Sequence, residues 1–123
     1  MDIDLPEVLT EIRTLFETYE HALAHNDIAT LDSLFWKDAR VLRMGVAENS
    51  YGHAAIVAFR VARAPGAARR TITRTQFTSF GRDYAHTCTE FERDGQRGRQ
   101  TQTWVRLPEG WRIVAAHISQ IPR

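Results

Sequence analysis

Residues 71–121, TITRTQFTSFGRDYAHTCTEFERDGQRGRQTQTWVRLPEGWRIVAAHISQI, decide the fold. Apolar and polar side chains alternate through four long runs, Thr71–Phe80, Tyr84–Arg93, Arg99–Leu107 and Trp111–Ile121. That period of two is what a half-buried strand requires. Gly81-Arg82-Asp83, Asp94-Gly95-Gln96 and Pro108-Glu109-Gly110 part the runs, each short and each holding a glycine of the hairpin kind. The stretch predicts an antiparallel meander.

The first seventy residues read differently. Asp4-Leu5-Pro6-Glu7 predicts a helix start, with Asp4 as N-cap, Pro6 in the first turn and Glu7 closing a capping box. Val8, Ile12, Leu15, Phe16, Tyr19 and Leu23 then recur at helical spacing as far as about His25. Asn26 suits the helix end. Asp27 suits the N-cap of a short second helix carrying Ile28, Leu31, Leu34 and Phe35. Residues 40–44 predict a strand, followed by Gly45 and a turn through Glu48-Asn49-Ser50. A third helix is expected over 53–63, with Ile56 and Phe59 on one face, until Ala64-Pro65-Gly66 stops it. The layout predicts an α+β fold, helices packed on one face of a strongly curved antiparallel sheet, as one domain over residues 1–123. A sheet that wraps a helix encloses a pocket, where small-molecule sites belong.

Composition narrows the function. Of 123 residues, 43% are hydrophobic and 25% charged, which suits one ordinary core. Sixteen basic and fifteen acidic residues leave +1, so bulk electrostatic binding to nucleic acid or membrane is not expected. No apolar run approaches the ~20 residues of a membrane span. The acidic, amphipathic start is unlike a secretory signal, and the single Cys88 forms no internal disulfide; a cytoplasmic home is expected. Charge is unevenly spread. Residues 1–38 hold nine acids and two bases, whereas six arginines and no acid lie between Glu48 and Asp83. The halves could pair with each other, within the fold or across a dimer, or concentrate positive potential in a cleft for a small anion.

Tyr19 sits at the centre of the first helix's apolar stripe, where its hydroxyl needs a partner. Helix geometry alone favours a core tyrosine over a pocket hydroxyl acting as donor or general acid. Arg43 is the one charge in Val41-Leu42-Arg43-Met44. It either points to solvent or enters the interior toward an anionic partner, and the strand pattern does not choose. In 98–106, Gln100, Gln102, Trp104 and Arg106 share one strand face and Thr101, Thr103 and Val105 the other, and either face could line a pocket. Ile113, Ala115, His117 and Ser119 would share a face of the last strand, with His117 reading first as structural. His21 and His25 have metal-pair spacing but fall on the solvent side of their helix. Cys88 and His86 share a strand face without a third group, which favours packing over nucleophilic chemistry. No phosphate loop, dinucleotide fingerprint, nucleophile elbow or zinc spacing is present. No residue pattern calls for a metal or organic cofactor.

The helix–helix–strand–helix order followed by a four-strand meander resembles the nuclear-transport-factor-like (SnoaL-like) cone fold, as does the ending Gly110–Ser119. More narrowly, Tyr19-Glu20-His21-Ala22-Leu23, Asn26-Asp27, Leu34-Phe35-Trp36, Arg43-Met44-Gly45, Tyr51-Gly52, Ala58-Phe59-Arg60, Phe80-Gly81-Arg82-Asp83 and Gly98–Arg106 resemble the AtzH-like family, which includes the HpxZ proteins of oxalurate catabolism. The resemblance implies cytoplasmic ureide breakdown, specifically the decarboxylating amide hydrolysis of 1,3-dicarboxyurea to allophanate. It also implies that Tyr19 and Arg43 carry the family's essential tyrosine and arginine. Arg43 would grip a substrate carboxylate, helped by Arg60 or Arg63, and Tyr19 would protonate or orient the scissile C–N bond. Gln102, Trp104 and His117 would line the pocket, without metal or cofactor. Two alternatives stand beside this one. A ligand-holding accessory protein would gain from Arg43 paired internally to an acid. A cone-fold isomerase would need a carboxylate base, for which Glu48 and Glu90 are the candidates. Trp104 or Trp111 on an open sheet face would demand a partner subunit, so a homodimer or higher assembly through the sheet is expected.

Overall fold

The hairpins form where the turn residues place them. Asp94 and Gly95 both adopt positive φ, 54° and 74°, the pairing that matches a tight turn to strand twist. The computed structural model describes residues 1–122. In chain order these form α1 (Pro6–Ala24), α2 (Ile28–Leu34), β1 (Leu42–Met44), β2 (Asn49–Tyr51), α3 (His53–Ala62), β3 (Thr71–Phe80), β4 (Tyr84–Arg93), β5 (Gln96–Leu107) and β6 (Gly110–Gln120). No helix among them is long and apolar enough to cross a membrane.

The six strands form one sheet in the order β2-β1-β6-β5-β4-β3. β3 to β6 are the predicted meander, each antiparallel to the next. The sheet is nevertheless mixed, because β1 lies parallel to β6, with Leu42 opposite Ala115 and Met44 opposite His117. β1 and β6 are far apart in sequence, so no tight hairpin constrains their relative direction. Asn49 and Ser50, expected in a turn, instead form β2 with Tyr51, which pairs with β1 through a Gly45-to-Glu48 turn.

Two of the three predicted caps are corrected. The α1 N-cap is Leu5, with no side-chain cap. Asp4 turns away at φ 58°, and its carboxylate accepts from Ser79 N at 2.8 Å, tying the amino-terminal segment to β3. Glu7 closes no capping box; it pairs with Arg82 at 3.1 Å. Both carboxylates found partners across the fold that a local reading does not see. Asp27 does cap α2, accepting from Thr30 N at 3.2 Å.

The core joins Val8, Ile12, Tyr19 and Leu23 of α1 to Leu31, Leu34, Phe35, Ile56, Trp104, Trp111 and Ile113. Trp104 and Trp111 are therefore inside, not on the open sheet face. Burying each contributes roughly 2–3 kcal/mol. The apolar patch that argued for assembly through the sheet is thus absent from that face. It carries instead Arg74, Gln76, Cys88, Glu90, Arg99 and His117, with the aromatic pair Phe80 and Tyr84 exposed toward one end.

A bulge in β6 decides which way its far half points. Thr103 is opposite Ala115 but Trp104 is opposite Ile113, leaving Val114 without a partner. One extra residue flips the facing of everything beyond it. Trp111 and Ile113 point in before the bulge, and Ala116 and Ile118 point in after it. His117 consequently faces outward and is exposed, so it does not line the interior.

Candidate functional site

The interior between α1, α3 and β5 is polar where a core is expected to be apolar. Helical spacing puts Tyr19 inward, at 2% exposure. Strand alternation puts Gln100, Gln102 and Trp104 inward from β5, at 2%, 1% and 0%. Gln100 Nε2 donates to the Tyr19 hydroxyl at 3.2 Å, and Thr87 Oγ1 donates to Gln102 Oε1 at 3.1 Å. The hydroxyl thus has the partner its burial demands, a glutamine side chain in place of a backbone carbonyl.

Arginines surround this phenol. Arg43 points inward from β1; its Nη1 donates to Glu48 Oε1 at 2.9 Å, and its guanidinium lies 4.5 Å from the Phe59 ring centroid. Arg60 follows Ile56 by one turn on the buried stripe of α3. It pairs with Asp32 at 2.5 Å and stacks on Phe35 at 4.6 Å. Arg70 pairs with Glu20 and lies over Phe91. Arg93 donates to the carbonyls of Ala68 and Arg69. Arg63, just past the end of α3, lies 5.4 Å from the Phe59 centroid and is half-buried. Among the described residues it makes no ion pair with a carboxylate. The uneven charge of the sequence is therefore met largely within the fold: Glu20 and Asp32 of the acidic third hold Arg70 and Arg60 of the acid-free segment.

This field changes the acids and bases inside it. Burial would push the Tyr19 phenol up, but Arg70, Arg60 and Arg43, with the Gln100 amide, outweigh it and hold the group below its ordinary value. Burial, then repulsion from Arg43, brings Arg63 down to about 10. Burial also lowers Arg60, against the raising influence of Tyr19 and Asp32.

Several buried polar atoms here have no partner: Gln100 Oε1, Gln102 Nε2, Trp104 Nε1 and Arg63 Nε. Each such atom costs about 1–3 kcal/mol when left unmet. Gln100 Oε1 adjoins the phenol, and with the three buried donors of the same interior it forms a complement to a small ligand with oxygen acceptors and an N–H. A ligand reaches Tyr19 only when the side chains covering it shift. The clefts of about 570 Å³ (Asp32, Phe35, His53, Arg112) and about 300 Å³ (Arg74, Cys88, Glu90, Arg99) include neither Tyr19 nor Arg43.

Of the residues singled out from sequence, Tyr19, Arg43, Arg60, Arg63, Gln102 and Trp104 border this interior, and His117 does not. Glu90 is exposed on the outer sheet face, so only Glu48 of the two candidate bases is near, and it is engaged with Arg43. Cys88 is exposed and so has no core packing role. His21 and His25 are exposed and stack on each other, ring centroids 4.1 Å apart. Sequence reading set Gln100 on the face of Gln102 without making it a site residue, and it missed Arg70 and Arg93. Gln100 was accessible, since it shares a strand face with Gln102. Arg70 was not, because its partner Glu20 lies 50 residues away.

Comparison with known proteins agrees with this architecture. A protein of unknown function from Pectobacterium atrosepticum is 47% identical, with a TM-score of 0.94 over 98% of this chain and 96% of that chain. A cystatin-like fold protein from Burkholderia xenovorans is 42% identical, with a TM-score of 0.94 over 100% and 98%. A nuclear-transport-factor-like protein from Streptomyces avermitilis, provisionally named a dehydratase, is 15% identical, with a TM-score of 0.78 over 96% and 99%, and shows the cone fold alone. Among curated proteins the chain finds no match. The AtzH-like family model matches residues 1–123, and the chain belongs to the AtzH-like family.

Proposed function

We propose that the protein is a cofactor-independent, decarboxylating amidohydrolase of a small carboxylated ureide, with 1,3-dicarboxyurea going to allophanate as its reaction. The observation that carries this reading is the buried Tyr19 phenol, surrounded by guanidiniums and touched by the Gln100 amide, whose oxygen is unpartnered. Such an interior favours a small anion with both donor and acceptor groups. Arg43 binds one carboxylate with the N–H groups not given to Glu48, and Arg63 or Arg60 supports the other. Gln102 and Trp104 supply donors to the ureide oxygens.

The bond that breaks joins a carboxylate carbon to a urea nitrogen. Its electron pair passes to nitrogen, Tyr19 delivers a proton there, and carbon dioxide departs. Water restores the Tyr19 proton and hydrates the carbon dioxide. Overall, 1,3-dicarboxyurea dianion and water become allophanate and bicarbonate, with atoms and charge balanced. A phenol held below its ordinary pKa is a better proton donor than a free one, provided it remains protonated at working pH.

Carbon-13 NMR of labelled 1,3-dicarboxyurea, generated in place, tests this against no-enzyme and Tyr19→Phe controls. Faster appearance of allophanate that depends on Tyr19 is expected. No acceleration over the uncatalysed decay overturns the reading. One observation favours a second reading, a ligand-holding accessory protein of oxalurate or purine catabolism: Arg43 is already paired to an internal acid. In that case an anionic ureide binds and is released unchanged.

The cytoplasm is the proposed compartment, and assembly into a homodimer or higher homo-oligomer is proposed through the polar outer sheet face. Size-exclusion chromatography with light scattering reads the oligomeric state directly.

A further inference from the structure

We infer that Gln100 is a positioning residue for Tyr19 and the group that selects a ligand with an N–H at the reacting position. The inference rests on the site reading above, but not on the reaction proposed for it.

The first ground is the direction of one hydrogen bond. Gln100 Nε2 donates to the Tyr19 oxygen at 3.2 Å, both groups being buried. An oxygen that accepts from an amide keeps its own O–H proton for another acceptor. Tyr19 is thereby left free to present its proton to a ligand instead of spending it on the protein. A carbonyl in the place of Gln100 would take that proton, as in an ordinary core tyrosine.

The second ground is the other half of the same amide. Gln100 Oε1 is buried and has no partner. It is the acceptor among unpartnered interior atoms that are otherwise donors: Gln102 Nε2, Trp104 Nε1 and Arg63 Nε. An amide's oxygen and nitrogen are little more than 2 Å apart, so this acceptor adjoins the Tyr19 hydroxyl. A ligand nitrogen that donates its N–H to Gln100 Oε1 therefore sits within reach of the Tyr19 proton. Oxyanions without an N–H leave Oε1 unmet and forfeit that bond.

The charged groups acting on Tyr19 are arginines from several elements. Arg43 comes from β1, Arg60 from α3, Arg63 from the segment after it, Arg70 from just before β3 and Arg93 from the end of β4. Glu48, Asp32 and Glu20 neutralise three of them. Gln100 is the neutral group of the set that touches the phenol oxygen, so its removal is readable in the titration of Tyr19.

The test uses Gln100→Met, close in shape and unable to hydrogen-bond through an amide, with two measurements. N-oxalylglycine and 2-oxoglutarate are stable dianions that differ only by N–H against CH2. Calorimetry should find that Gln100→Met weakens N-oxalylglycine about tenfold and 2-oxoglutarate less than twofold. Phenolate absorbance, taken as a difference against Tyr19→Phe, should show Tyr19 titrating at higher pH in Gln100→Met than in the wild type. If Gln100→Met does not fold, Gln100→Glu replaces it. It keeps an acceptor and loses the donor, so the Tyr19 titration should rise while the preference for N–H survives. Equal weakening of both ligands, an unmoved titration, or no binding of either ligand to the wild type overturns the inference. N–H selectivity without turnover of 1,3-dicarboxyurea upholds it and overturns the reaction instead.

Discussion

Arg43 reaches the interior with one edge already engaged, its Nη1 bonded to Glu48 Oε1 at 2.9 Å. Gly45 makes this possible, because a Cβ there would overlap the Glu48 carboxylate. Glu48 is thus an internal counter-ion competing with any ligand carboxylate for Arg43. Glu48→Gln should tighten binding of a small dianion severalfold and cost about 1 kcal/mol of stability, since Glu48 is only part-buried. Gly45→Ala should resemble it in binding. Calorimetry with 2-oxoglutarate and thermal unfolding read both; weaker binding in Glu48→Gln would show that Glu48 orients Arg43 instead of competing for it.

Tyr19 is active as an acid only while protonated. Its pKa is held below its ordinary value of 10 by Arg70, Arg60 and Arg43 against the opposing effect of burial. Activity should therefore fall as pH rises, with the alkaline limb of kcat/KM midway at a pH below 10. An alkaline limb at or above 10 would remove Tyr19 from the proton-donor role.

Arg63 illustrates a conflict between stability and binding. It is a half-buried cation with an unmet Nε, brought down to about 10 by burial and by Arg43. Its charged form is less favoured in the folded chain than in the unfolded one, so this penalty is fully present below pH 10 and fades as pH rises through it. Arg63→Gln should stabilise the fold by roughly 0.5–2 kcal/mol near neutral pH and weaken dianion binding about tenfold. Chemical denaturation and calorimetry on the same variant decide the matter; loss of stability with unchanged binding would assign Arg63 to the scaffold.

Asp32 holds Arg60 at 2.5 Å beneath Phe35, and Arg60 is 2% exposed. Asp32→Asn should destabilise by about 3 kcal/mol, because it leaves a buried guanidinium without its counter-charge. Replacing both partners with Leu and Met should recover most of that loss. A double variant as unstable as the single one would place the cost in packing rather than charge.

Gly98 lies opposite Phe91 across β4 and β5, and a Cβ at Gly98 would overlap its ring. Phe91 is 1% exposed and carries Arg70 and Arg93 over its faces, so it cannot step aside cheaply. Gly98→Ala should cost about 1–3 kcal/mol in urea unfolding and slow turnover through displaced arginines. An unchanged midpoint would mean the ring relaxes freely.

Much of the fold was legible because it is written in local periods and turn chemistry. Val8, Ile12 and Tyr19 repeat at helical spacing, Asp27 caps a helix, and Asp94-Gly95 turns a hairpin. Alternation put Gln102 and Trp104 on one strand face, but only the packed sheet turned that face inward. Asp4 and Glu7 were misread as caps because their partners, Ser79 and Arg82, each lie 75 residues along the chain.

The sequence by itself determined the α+β order, the inward position of Tyr19 and the excess of arginine after residue 38, since each depends on residue type and spacing alone. Tertiary structure decided the rest. A single residue at Val114, left unpaired between β5 and β6, turned His117 to the outside. No periodicity announces such a bulge, because it is set by how two strands must twist to cover the helices. Likewise, only packing of α1 against β5 brought Gln100 to the Tyr19 oxygen across 81 residues. A buried hydroxyl's partner is chosen by whatever polar group the fold delivers to it, and strand register and helix docking are settled by the whole core at once.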